Sequence, residues 1–314
     1  MNDITVSFPG LGIDGGSLDN VAFTLPFGEN GFSVMWYGVV IALGMLMAIT
    51  YATYRCKQHG IKFDDLIDIA IFTILFGVIG ARLYYVAFNP EGFDTIGDII
   101  NIRSGGLAIY GGIIAGAITV AVVCVVKKIS WRKLFDCAGP GVMLAQAIGR
   151  WGNFFNGEAY GKLVEEGHPL YFMRMGLISR NTYGDFNTWD MVYVHPCFLY
   201  ECIWNIVGFI LINIFYKKKK FDGQIALYYI GWYGFGRMFI EGLRTDALFI
   251  GNSGIRVSQL LGFLLFAVST ALLIMGLVYV KKHPDSKFAI ANNAPVVEEE
   301  CEEDKEYEED GTDN

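Results

Sequence analysis

The chain has 314 residues, of which 53% are hydrophobic and 18% charged, where a soluble domain carries about 25% charged residues. The formal net charge of −8 is concentrated at one end, since residues 298–313 hold eleven acidic side chains and one basic one. The remaining body is close to neutral, which speaks for a membrane protein and against a nucleic-acid binder.

Residues 1–33 contain no lysine or arginine, so they lack the basic start of a secretory signal. They are rich in glycine and aspartate and read as an irregular segment on the outer surface. Seven apolar stretches then follow, at about 34–54, 66–88, 107–126, 134–154, 197–216, 224–240 and 257–280, each near the length of about 20 residues that a bilayer crossing requires. The fourth and sixth are the weakest hydropathy signals, because each contains an arginine and several glycines. Fourteen lysines and arginines follow the first, third, fifth and seventh stretches, while the other exterior segments hold six. By the positive-inside rule the N-terminus lies outside and the C-terminus inside.

Residues 157–194 are too polar to span and too long for a tight turn, and they carry Tyr160, Tyr171, Tyr183, Trp189 and Tyr193. Such aromatics suit the headgroup region. The expected architecture is an all-α integral membrane protein: seven transmembrane helices, a small outer-face subdomain and a disordered acidic C-terminal tail. Its parts are an outer segment 1–33, a membrane domain 34–282 with the insertion 157–194, and a cytoplasmic tail 283–314. The six cysteines form no CxxC pair and read as small core residues, and no metal-ligand cluster is present.

The most unusual stretch is Gly149-Arg150-Trp151-Gly152-Asn153-Phe154-Phe155-Asn156-Gly157-Glu158-Ala159-Tyr160-Gly161. It sets an arginine where hydrocarbon belongs, and a charge there costs roughly 2.5–3.5 kcal/mol on insertion scales. Given the orientation above, Arg82, Arg150, Asn153, Arg237 and Glu241 fall near the outward ends of their spans. Tyr37, Tyr110 and His195 fall near the starts of inward-running ones. Snorkelling to the nearest interface is the alternative for any one arginine, but it would populate both faces. One-sidedness argues for a single site. Tyr233, Arg237, Glu241 and Arg244 are spaced for one helical face. Arg237 with Glu241 also reads as a mutually neutralising pair, leaving Arg150 with only Glu158 as a neighbouring carboxylate. Arginines on separate helices suit an anionic lipid headgroup, because guanidinium forks bind phosphate bidentately. His195, followed by Pro196, reads as a capping or hydrogen-bonded residue or as a base. A solute transporter would favour inverted repeats and a midplane site, and neither is seen.

The run from Gly149 to Glu158 resembles the signature of the bacterial prolipoprotein diacylglyceryl transferases. Trp36-Tyr37-Gly38, Gly80-Ala81-Arg82-Leu83, the segment from His195-Pro196 to Tyr200-Glu201, and Tyr233-Gly234-Phe235-Gly236-Arg237 through Glu241-Gly242-Leu243-Arg244 resemble it too, in the family's order. The resemblance implies transfer of the diacylglyceryl group of phosphatidylglycerol to a cysteine thiol in a prolipoprotein signal peptide, at the bacterial plasma membrane and without a cofactor. It implies that Arg150 and Arg237 hold and activate the lipid. Asn153, Asn156, Glu158 and Gly161 would complete the first motif, supported by Tyr37, Tyr233, Glu241, Arg244, His195 and Arg82. Tyr110 stands where many members carry histidine before Gly111-Gly112. A phenol with an ordinary pKa near 10 is a poor base at neutral pH.

Overall fold

A computed structural model of the chain describes residues 4–26, 31–89, 93, 95–102, 105–251, 253–286 and 288–290. The acidic run 298–313 lies outside the described residues. In chain order the elements are β1 (Ile4–Phe8), β2 (Ile13–Leu18), β3 (Val21–Leu25), β4 (Phe32–Met35), α1 (Trp36–Gln58), α2 (Phe63–Phe88), α3 (Ile96–Ile100), α4 (Ile109–Val126) and α5 (Trp131–Phe155). Then come β5 (Met175–Ile178), α6 (Arg180–Phe186), β6 (Val192–Val194), α7 (Cys197–Tyr216), α8 (Gln224–Ile240) and α9 (Val257–Lys282).

The described chain is mostly helical, and α1, α2, α4, α7 and α9 are long and apolar enough to cross a membrane. Helix suits such segments because it satisfies every backbone polar group internally. α5 and α8 carry the most unusual polar residues. α5 is the central packing element, lying against α1, α7 and α8, while α8 packs on α9 and α2 on α4. The α1–α5 contact is close because Gly141 has no side chain; a Cβ there would stand 2.8 Å from the Ala48 carbonyl oxygen. Small residues at a helix crossing let the backbones approach in this way.

Inside α5, Pro140 lacks an N–H and so removes the helical donor to the carbonyl of Asp136. The Tyr216 hydroxyl of α7 lies 3.4 Å from that oxygen. The Asp136 carboxylate is fully buried. It accepts from the Gly223 N–H at 2.8 Å and the Ala226 N–H at 2.9 Å, and pairs with Lys219 at 3.2 Å. A carboxylate on one helix thus caps the N-terminus of another, where free N–H groups and the helix dipole favour negative charge. This tie sets α8 against α5, the two helices that carry Arg237 and Arg150. Asp136→Ala leaves two amide groups uncapped and Lys219 with Asp222 alone, at 3.3 Å. Breaking a buried pair in this way costs about 3–5 kcal/mol, so we expect a lower thermal midpoint in detergent, with Asp136→Asn intermediate; an unchanged midpoint for the alanine variant refutes the cap.

The N-terminal residues depart from the irregular segment expected, and the all-α expectation is corrected accordingly. β2, β1, β5 and β6 form one antiparallel sheet in that order, and β3 with β4 forms a separate hairpin leading directly into α1. Thr5, Val6 and Ser7 lie opposite Ile178, Leu177 and Gly176. Ile4 and Val6 of β1 are buried with Tyr160, Met175, Leu177, Val194 and Phe198. The N-terminus and the 157–194 insertion therefore share one core. β2, with the sequence IDGGSL, is almost wholly exposed and has no apolar alternation to betray it.

Candidate active site

The buried charges converge on Glu201, in the second turn of α7 and only 5% exposed. Its two oxygens bridge helices: Oε2 lies 2.6 Å from Arg150 Nη2 of α5, and Oε1 lies 2.8 Å from Arg237 Nη1 of α8. Arg244 Nη1 stands 3.7 Å from the same Oε1. Arg237 Nη2 pairs with Glu241 Oε2 at 2.6 Å, as the four-residue spacing predicts. Arg150 therefore has a carboxylate partner other than Glu158, which corrects that expectation. A buried anion is tolerable only with such pairing, and here it fixes three guanidinium groups relative to one another.

Arg244 is not on the helical face read from the spacing. α8 ends at Ile240, and Arg244 lies beyond it in a turn. The turn is held from the other side of the sequence: Lys162 N–H donates to the Leu243 carbonyl at 2.7 Å, and Gly161 bridges Arg244. Glycine is required at 161, because a Cβ there would come within 2.7 Å of His195 Cβ and 2.8 Å of Cys197 Sγ. Arg244 also forms a fork with Asp246, at 2.9 Å from Nε and 2.6 Å from Nη2. Burial opposes ionisation of Asp246, but the Arg244 guanidinium outweighs it and holds the carboxyl below its ordinary value. Arg256, at the start of α9, donates to the Glu241 carbonyl and, at 3.2 Å, to that of Arg244.

The end of α5 forms a second polar group. Asn153 and Asn156 donate to Glu158 Oε1 at 3.0 and 3.3 Å. Arg150 Nη1 reaches Asn153 Oδ1 at 3.4 Å. The Tyr37 ring lies against Gly152, so α1 covers this turn. His195 is buried beside the arginine cluster, its Nδ1 3.1 Å from the Tyr200 hydroxyl. Burial, and then the neighbouring His168, hold the His195 imidazole below its ordinary value.

Two of the residues expected at the site, Arg82 and Tyr110, are joined to the arginine cluster by no hydrogen bond or ion pair among the described residues. Arg82 is buried, and its guanidinium donates to the carbonyls of Ile99, Gly105, Gly106, Asp98 and Asn101 at 2.7–2.9 Å. With its donors spent on backbone, it organises the α2–α4 connection. Tyr110 lies in the first turn of α4. Tyr233 lies one turn from Arg237, its ring beside Tyr229 at 6.4 Å between centroids. The sequence reading missed Glu201, Asp246 and Arg256 as site residues. Glu201 had a signal, a carboxylate interrupting an apolar span at the depth of the arginines; Asp246 and Arg256 had none.

The arrangement provides clustered guanidinium forks beside amide and carboxylate groups at the membrane end of three helices, a setting that stabilises phosphate charge. The prolipoprotein diacylglyceryl transferase family model matches residues 21–275. The chain belongs to this family. It is 42% identical over 269 residues to the phosphatidylglycerol–prolipoprotein diacylglyceryl transferase of Clostridium kluyveri, covering 84% of this chain and 97% of the relative. The corresponding enzyme 1 of Clostridium perfringens is 43% identical over 249 residues, 79% and 90% of the two chains. That of Staphylococcus aureus strain RF122 is 41% identical over 266 residues, 84% and 91%. The matched range of this multi-pass transferase holds every residue of the arginine cluster and omits β1 and β2.

Proposed function

We propose that the chain transfers the diacylglyceryl group of phosphatidylglycerol to the thiol of a signal-peptide cysteine in a prolipoprotein, the first step of lipoprotein maturation. The C–O bond between the lipid glycerol and phosphate breaks, a C–S thioether bond forms, and glycerol phosphate leaves. The thiol gives up its proton, because the thiolate is the nucleophile. The observation carrying this reading is the convergence of Arg150, Arg237 and Arg244 on Glu201.

Arg150 and Arg237 grip the phosphate and stabilise its charge as the C–O bond breaks. Glu201 and Glu241 hold those guanidinium groups in place. Asn153, Asn156 and Glu158 bind the headgroup glycerol through their amide and carboxylate groups. Tyr37, Tyr233, Gly161, His195 and Arg244 frame the pocket. Tyr110 orients the headgroup. The test is purified protein in liposomes with head-labelled and chain-labelled phosphatidylglycerol and a lipobox peptide. Chain label is expected on the peptide and head label in released glycerol phosphate. Lipid binding without transfer, under conditions where a relative is active, overturns the reading.

The membrane domain spans seven times, with the N-terminus outside and the acidic tail in the cytoplasm. Supporting this are the lysine and arginine bias of the connections and the location of the site at one end of α5, α7 and α8. The outer unit comprises β1, β2 and the 157–194 insertion. In cells, a membrane-impermeant maleimide is expected to label Asp14→Cys in β2 and to spare Lys62→Cys before α2; both positions are exposed, and the native cysteines among the described residues are buried. Labelling of Lys62→Cys alone reverses the orientation.

A further inference from the structure

A separate cavity of about 770 Å³ lies towards the ends of α5 and α8 opposite to the arginine cluster, which on the proposed topology is the other half of the membrane. Its edge nearest the site is formed by Met45, Val142 and Ile230. They lie eight, eight and seven residues along their helices from Tyr37, Arg150 and Arg237 respectively, which is about 10–12 Å at 1.5 Å per residue. One leaflet of hydrocarbon is about 15 Å deep. The cavity thus begins near the midplane and runs on to Trp131 at the start of α5, nineteen residues or about 28 Å from Arg150, so its far part lies beyond the acyl chains of a lipid whose headgroup sits at Arg150. It belongs to the opposite leaflet.

The walls are almost entirely hydrocarbon, and the volume is that of a small-molecule pocket. At its far rim stand Trp131, an exposed aromatic at the membrane boundary, and Arg132. Among the described residues Arg132 has no carboxylate partner; its guanidinium lies 5.6 Å from the centre of the Phe288 ring. Asp222 on the same rim is already committed to Lys219 at 3.3 Å. The nearest turns add Lys128 and Lys133, while Lys127 is held by Asp65 and Asp68 at 2.6 and 2.7 Å. An apolar chamber at membrane depth, headed by a guanidinium without a carboxylate partner among the described residues, is complementary to one acyl chain below one negative charge.

We infer that this cavity holds an anionic phospholipid of the leaflet opposite the reaction, with an acyl chain between α1, α2, α5 and α8 and its phosphate on Arg132. The lipid completes the packing of the helices that carry Arg150 and Arg237, without being a substrate.

The test uses the full chain in phosphatidylcholine liposomes with a trace of phosphatidylglycerol bearing a diazirine halfway along one chain. After irradiation, labelled residues are mapped by peptide mass spectrometry. Label is expected on the cavity-facing stretch around Ala138 and Ala226, in addition to any label around the arginine cluster. Arg132→Gln is expected to reduce the cavity label about fivefold, leaving the label near Arg150 and the transfer rate intact. Ala138→Phe, which fills the chamber from α5, removes the cavity label. Ala70→Phe fills it from α2 and serves where the first variant does not fold. A phosphatidylcholine probe should label the cavity about fivefold less. Equal labelling by the two probes, indifference to Arg132→Gln, or no label in the cavity overturns the inference. Transfer activity and label near Arg150 are scored separately, so failure of the proposed reaction is a distinct result.

Discussion

Glu201→Gln is expected to lower lipid transfer about 10²-fold or more, although glutamine has nearly the same shape. The substitution removes the one negative charge that Arg150 and Arg237 share, at 2.6 and 2.8 Å. Two guanidinium groups from different helices are then left facing a neutral amide. Removing one partner of a buried pair costs about 3–5 kcal/mol, and loss of a preorganised electrostatic contact typically costs about 10²–10³-fold in turnover. A merely structural carboxylate would lower the thermal midpoint and leave kcat per folded molecule unchanged. Glu201→Asp keeps the charge on a shorter arm and reaches one arginine at a time, so intermediate turnover is expected. Full activity in the Gln variant, measured per folded molecule with labelled phosphatidylglycerol, removes Glu201 from the site.

Arg150→Lys is the second large effect. Lysine keeps the cation but loses the planar fork, so it cannot hold Glu201 and a phosphate oxygen in fixed geometry. If Arg150 stabilises the departing phosphate, the main loss falls on turnover, about 10²–10³-fold, with KM little altered. Tyr110→Phe is the contrasting variant, deleting only a hydroxyl from a residue that no described contact joins to the cluster. A modest slowing, uniform across pH 6–9, is expected. Collapse of activity with a changed pH profile would make Tyr110 the base. Undiminished turnover in Arg150→Lys would overturn the role given to the central stretch.

Much of the site was legible because its residues violate a local rule. Arg150, Arg237 and Glu241 are charges inside apolar spans, and their common depth follows from span order and the lysine and arginine bias. The Arg237–Glu241 pair is a four-residue spacing on one helix, so the sequence alone contains its geometry. The apolar stretches themselves are readable because twenty residues of hydrocarbon leave the backbone little choice but helix.

Arg82 obeys the same rule as Arg150 yet faces backbone carbonyls between Asp98 and Gly106. Depth in the membrane carries no information about which way a side chain turns. Arg244 looked like a further helical position, but the helix stops first and Gly161 carries the turn back to the site.

From composition, spacing and charge bias the sequence determined that this is a multi-pass membrane chain with arginines clustered at one depth. Only the tertiary structure decided that Glu201 joins Arg150 to Arg237, that Asp136 caps α8 across the helix interface, and that β1 pairs with β5. These contacts link residues 36 to 173 positions apart, whereas helical and strand periodicity reports neighbours a few positions away. Which distant partners meet depends on how the helices pack, and packing is settled by the whole set of surfaces at once.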